Sequence, residues 1–230
     1  MLMLALDTAT PAVTVALHDA DGDRTLAAAH QVDARRHGEL LLPCVQRVLE
    51  EAGRKPAEVT DLVVGVGPGP YTGLRVGLAT AEAFAAALGQ RVHGLCSLDG
   101  IAYASGLAEP FVVATDARRK EVYWARYADA RTRTGDPAVD RPADLDDLTD
   151  AAAADGKVTG LPAVGAGAVL YESVFRGVRR DLPTDQSAAA LARLAAERLA
   201  RGEQLLPPRP LYLRRPDAQV PAGYKVVTPR

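Results

Sequence analysis

Two cysteines in 230 residues, Cys44 and Cys96, leave no disulfide framework to read. A basic excess is missing too: 27 Lys and Arg stand against 29 Asp and Glu, a net charge of −2. A protein that grips nucleic acid through phosphates alone carries such an excess, so any work on nucleic acid here needs a partner to supply much of the grip. The opening MLMLALDTAT has no basic flank, and Asp7 interrupts its apolar run, which excludes a signal peptide pattern. No apolar stretch free of Gly, Pro and charge is long enough to span a bilayer. The expectation is a cytoplasmic protein with no membrane contact. Composition is otherwise that of a globular chain, 48% apolar and 24% charged, long enough for one large domain or two lobes.

What is present begins with a hairpin. Leu4 and Leu6, then Val13, Val15 and Leu17, alternate on either side of Thr-Ala-Thr-Pro, and Asp19-Ala-Asp-Gly22 closes the second strand. Residues 24–32 offer a third strand. Leu41, Val45, Val48, Leu49 and Ala52 share one helical face over 38–52, stopped by Gly53. A buried strand at 62–66, a glycine loop, a helix over 72–88, a strand at 91–95 and a helix over 98–107 capped from Ser97-Leu-Asp99 follow. In PFVVATDARRKEVYWARY an apolar strand ends in Asp116, and Val122 follows at the spacing that separates Val13 from Asp7. LPAVGAGAVLYESVF repeats the strand-Gly-x-Gly-helix order of 62–78. Two matches in the same order predict two lobes of related topology, the second shortened, divided as 1–108 and 109–230. Residues 129–158, rich in Ala and Asp, suggest a surface helix and loops. A helix over 186–201 precedes a Pro-rich tail pinned by Leu211, Tyr212 and Leu213.

The glycine loop VVGVGPGPYTGLRVGLATA raises the sharpest question: does it cradle a phosphate, or let something come close? A P-loop needs a lysine after its last glycine, but Leu74 follows Gly73, and no register gives Gly-x-Gly-x-x-Gly. Gly73, Gly77, Ala81 and Ala85 recur every fourth residue and form a ridge of almost no height. The remaining sides of that helix are apolar as well, which predicts burial nearly all round and close approach by another helix, from a second chain or from helix 38–52.

Catalytic chemistry is thin. His18, His30, His37 and His93 have no metal-ligand spacing, Ser97 lacks a nucleophile elbow, and neither cysteine has a histidine beside it in sequence. Asp7 and Asp116 end apolar strands, where a carboxylate orients a cation or water, or caps turn amides.

DTATPAVTVAL, HGELLLPCVQRVLEEAG, GVGPGPYTGLRVGLATAEAFAAALG, ATDARRKEVYWARY and PLYLRRPD, in this order, resemble the bacterial TsaB family. The resemblance implies an α/β fold of the actin/Hsp70/sugar-kinase type, two ribonuclease-H-like lobes with mixed sheets. It implies a non-catalytic partner of a TsaD-like subunit, working with a TsaE-like ATPase. That complex places a threonylcarbamoyl group on the adenosine beside the anticodon of tRNAs reading codons that begin with A. Such a chain would meet tRNA through the complex and bind no cofactor alone, with ATP or ADP admitted inside the assembly and a homodimer left open for the isolated chain. In the family, TsaD holds a metal through paired histidines, and no such pair stands here. The family's pairing surface is formed by the two helices that correspond to 38–52 and 72–88. The partner interface is therefore expected at Leu41, Val45, Gly73, Gly77, Ala81 and Ala85. A nucleotide contact is expected at Asp7, Thr8 and Thr10, although the turn lacks the glycine usual in ATPase members of the fold. An ATPase or small-molecule kinase of the same fold is the alternative function, and a metallopeptidase the third.

Overall fold

β1 (Leu2–Asp7), β2 (Ala12–Asp19) and β3 (Arg24–Val32) form an antiparallel meander, with Leu4 opposite Leu17 and Leu6 opposite Val15. In the computed structural model, which describes residues 1–148 and 157–214, β4 (Asp61–Gly65) and β5 (Arg91–Leu95) extend this sheet in parallel beyond β1, giving the order β3-β2-β1-β4-β5. The second sheet repeats the order. β6 (Phe111–Asp116), β7 (Val122–Asp129) and β8 (Thr132–Arg133) make the meander, and β10 (Pro162–Val164) and β11 (Gly177–Val178) lie parallel beyond β6. β9 (Ala138–Asp140) adds to β7 from within 129–158, where the sequence suggests a helix; part of that segment, 149–156, lies outside the described residues.

β1 is buried on both faces because helices cover both. Leu4 and Leu6 point into a cluster with Leu41, Val45 and Val48 of α1 (His37–Glu51) and Leu78 and Ala81 of α2 (Tyr71–Leu88). Met3 and Ala5 point the other way, onto Leu191, Leu194 and the alanines of α6 (Ala188–Ala200). The division at residue 108 thus separates α6 from the sheet it packs on. Its Ala188, Ala192 and Ala195 let it lie close over Ala5 and Ala16, a fit between small side chains that spacing along the chain does not reveal. α3 (Ser97–Ser105) packs on the inner face of the second sheet, while α4 (Leu145–Leu148) and α5 (Ala166–Leu170) belong to the outer layer. Among the described residues no helix is long and apolar enough to cross a membrane.

The Pro-rich stretch after α6 is held at three points. Leu206 bridges to Gly94, the Leu211 N–H donates to the Val66 carbonyl, and Tyr212 stacks on Tyr71.

Candidate functional site

The glycine loop meets the first hairpin turn of its own chain. A Cβ at Gly65 would sit 1.9 Å from Asp7 Oδ2, one at Gly69 would sit 2.2 Å from the Ala9 carbonyl, and one at Gly73 would sit 2.6 Å from the Thr8 carbonyl. The Thr8 hydroxyl donates to the Gly73 carbonyl at 2.8 Å and accepts from the Gly77 N–H at 3.0 Å. These are the two backbone groups that an α-helix pairs with each other, so Thr8 is stitched into the ladder of α2. Only glycine leaves room for that, since a Cβ at Gly77 would lie 2.5 Å from Thr8 Oγ1.

The residues expected at the partner interface are packed within the chain itself. Gly73, Gly77, Ala81 and Ala85 are buried against β1 and its sheet, and Leu41 and Val45 are 1% and 2% exposed in the same core. The close approach is real, but its occupant is the chain's own first turn. The exposed side of α2 is the opposite one, carrying Arg75, Ala79, Glu82, Ala83, Ala86 and Ala87, with Val76, Phe84 and Leu88 half-buried beside them. Gly77→Leu should therefore melt early. Overpacking of about 1–3 kcal/mol, with the Thr8 bonds displaced as well, outweighs the ~0.8–1 kcal/mol that leucine gains over glycine in a helix. Calorimetry checks it, and an unchanged melting temperature would return these glycines to a surface.

The expected nucleotide contacts are also drawn inward. Asp7 is fully buried, and its Oδ1 accepts the Ala9 N–H at 2.7 Å while Oδ2 has no hydrogen-bond partner. Burial raises its pKa from the usual carboxylate value to about 6, partly offset by the Ser97 hydroxyl and the N–H groups of Ala9 and Thr8. Thr10 Oγ1 donates to Gln186 Oε1 and accepts from the Ala12 N–H. Both hydroxyls are thus engaged within the chain and the carboxylate is enclosed, while Thr8 and Thr10 also border a cavity. Asp116, its counterpart in the second lobe, accepts the Arg118 N–H at 2.8 Å in the same turn geometry.

Between the two hairpin turns lies a cavity of about 280 Å³, lined by Thr10, Arg35, His37, Thr72, Asp116 and Arg118 among others. His37 Nε2 stands 2.7 Å from the Thr10 carbonyl, which only accepts, so that nitrogen carries the proton. Neither cysteine offers a nucleophile: both are buried, and burial pushes the Cys96 thiol up to about 12. Among the described residues no group of three His, Cys, Asp or Glu side chains is placed to hold a metal.

A second polar centre escapes sequence inspection. Asp99, expected to cap α3, is 5% exposed at its side chain and joins three elements instead. Its Oδ1 accepts from Tyr127 at 2.9 Å and from Arg133 at 2.6 Å, and its Oδ2 faces Arg198 at 3.4 Å. Burial, then the nearby Asp99 charge, holds the Tyr127 hydroxyl well above its usual pKa, so it stays a donor. Nothing in local spacing signals this, because its members come from α3, β7, β8 and α6.

Compared with known proteins, the chain matches the TsaD family, described as tRNA N6-adenosine threonylcarbamoyltransferase, over residues 30–221. A solved structure of YeaZ from Pseudomonas aeruginosa superposes with a TM-score of 0.74 at 32% identity, covering 92% of this chain and 99% of that one. The chain is a TsaB-like member of this family. The TsaB-like chain is also 43% identical to an uncharacterized protein of Mycobacterium tuberculosis, over 94% of its own length and 93% of the other. It is 36% identical to the tRNA threonylcarbamoyladenosine biosynthesis protein TsaB of Escherichia coli, over 55% of each chain. The match therefore spans about half of that curated TsaB. The shared α/β fold of two mixed sheets is the one the resemblance implies.

Proposed function

We propose that this chain is a subunit of the assembly that makes threonylcarbamoyladenosine in tRNA, and that it acts without catalysing the transfer itself. Its role is to present α1 and α2 to a TsaD-like subunit. The observation that carries this is the uncovered face of α2, apolar along Val76, Ala79, Ala83, Phe84 and Ala87; on α1, Leu42 is 54% exposed as well. The other face of each helix is already filled by the chain's own sheet, so the free faces are the ones left to pair. Small residues on both sides let a partner helix approach closely. The similarity to YeaZ of Pseudomonas aeruginosa and to the tRNA threonylcarbamoyladenosine biosynthesis protein TsaB of Escherichia coli supports the assignment to this pathway step.

Nucleotide enters, in this account, with the complex and a TsaE-like ATPase. The first hairpin turn of this chain has its hydroxyls committed internally. Were the isolated chain to pair with a second copy, the same apolar face would serve, and partner binding would displace that copy. An ATPase or kinase of the same fold has less support, since Asp7 is enclosed by Gly65 rather than open to the cavity.

Co-purification with a TsaD-like subunit tests the proposal, and Ala83→Glu makes it specific. Ala83 is exposed, so the substitution should leave stability within ~0.5 kcal/mol. Burying an unpaired carboxylate in the interface should weaken association by roughly tenfold or more. Wild-type binding by Ala83→Glu would move the interface off this face.

A further inference from the structure

The mouth of the cavity between the hairpin turns is strongly basic in a chain whose net charge is −2. Arg35 and Arg118 line the cavity, and Arg119 and Lys120 continue the β6–β7 turn, all of them exposed. This turn is unusual. Arg118, Arg119 and Lys120 take φ values of 63°, 55° and 64°, three consecutive left-handed residues without a glycine. Side chains with a Cβ resist that conformation, and such strain persists only where the surroundings over-determine it. Here Arg214 supplies the constraint, donating to the Ala117 carbonyl at 2.9 Å and pairing with Glu121. The result is a rigid turn with three long cationic side chains in succession.

Residues close in sequence to the cavity wall and to the Arg214 clamp form an aromatic pair. Tyr71 lies between Pro70 and Thr72 of the cavity wall, and Tyr212 lies two residues before the Arg214 clamp. The two rings stack with centroids 5.2 Å apart and planes 27° apart, yet they remain 57% and 47% exposed. Arg75 lies over the Tyr71 ring at 5.1 Å and donates to its hydroxyl at 2.7 Å. Exposed stacked rings and clustered cations are the two elements that single-strand binding surfaces combine. Each unpaired base offers a π-face, and its flanking phosphates seek Arg and Lys.

We propose that the Tyr71–Tyr212 stack and the Arg118–Lys120 turn form a contact surface for single-stranded RNA, with an unpaired base stacked on Tyr212 and its phosphates against the basic turn. The choice of RNA rests on the function proposed above; the surface itself rests on the geometry. The acidic groups nearby are engaged, Asp116 with Arg118 at 3.4 Å and Glu121 with Arg214, and so do not repel a phosphate strand as free carboxylates would.

The test is fluorescence anisotropy with the full chain and a labelled single-stranded oligoribonucleotide, alone or annealed to its complement, across a salt series. The single strand should bind more tightly than the duplex. Tyr212→Ala should weaken binding roughly tenfold, while Tyr212→Phe retains it. Arg118→Asn with Lys120→Asn, chosen because asparagine tolerates left-handed backbone, should flatten the salt dependence by about 0.7 in log–log slope for each phosphate that the turn no longer neutralises. Melting curves of each variant show whether it is folded; should Tyr212→Ala release the tail, the turn variant decides alone. Equal binding of duplex and single strand, or wild-type affinity and salt slope in the folded variants, would overturn the proposal. Failure of the wild-type chain to co-purify with a TsaD-like subunit would instead remove the proposed function, while the isolated chain's RNA measurement would still judge the surface.

Discussion

Replacing Asp99 with alanine should cost about 3–5 kcal/mol, the range for removing one partner of a buried ion pair. The loss comes from what remains rather than from what leaves. Arg133 and Arg198 keep only 23% and 20% of their side-chain exposure, and each would be left as a cation without its carboxylate. Tyr127, fully buried in effect at 2% exposure, would lose its acceptor. Because Asp99 sits on α3, Arg133 on β8 and Arg198 on α6, the residue ties the second sheet to the helix that covers the first. Urea unfolding should show a midpoint shift of that size, with Asp99→Asn falling between alanine and wild type because it still accepts from Tyr127. A loss below ~1 kcal/mol would mean that both guanidinium groups reach water when the carboxylate is gone.

Asp7→Asn should act in the opposite direction and depend on pH. Folding raises the Asp7 pKa from 3.8 to about 6, chiefly by burial. A carboxyl with a raised folded-state pKa contributes its stability in the neutral form. That stability is fully present below the unfolded pKa and is lost as pH rises through about 6. At pH 7 the ionised Asp7 thus costs about 3 kcal/mol, at 1.36 kcal/mol per pKa unit. Asparagine keeps the acceptor for the Ala9 N–H and cannot ionise, so it should be the more stable chain near neutrality by about that amount. The advantage should shrink steadily toward pH 4, where the native carboxyl is protonated. Melting temperatures of the two chains compared across pH 4–8 measure it. Parallel curves would mean that Asp7 is hydrated and titrates normally.

Much of the architecture can be read from the sequence because strand and helix periods are written locally. Val13, Val15 and Leu17 alternate, Leu41, Val45 and Val48 follow a helical face, and the Asp7 and Asp116 hairpins repeat at one spacing; each is found in its expected element. The flatness of the Gly73–Ala85 ridge is equally legible, but its occupant is not. The Thr8 hydroxyl that fills it comes from a turn far away in sequence, and no periodicity encodes which surface meets a flat one. For the same reason the free side of α2 cannot be picked out by pattern: alanine is apolar whether covered or not, so Ala79, Ala83 and Ala87 read as core although they are exposed. The Asp99 centre and the Tyr71–Tyr212 stack each join elements that only the fold brings together.

The most direct measurement is incorporation of labelled threonine into unmodified tRNA by a reconstituted system of a TsaD-like subunit, a TsaE-like ATPase and the enzyme that supplies threonylcarbamoyl-adenylate, with and without this chain. Incorporation should fall to background when the chain is omitted, return when it is added, and stay near background when Ala83→Glu replaces it at concentrations below the weakened dissociation constant. Full incorporation without the chain, or transfer by the chain alone, would contradict a non-catalytic subunit of this assembly.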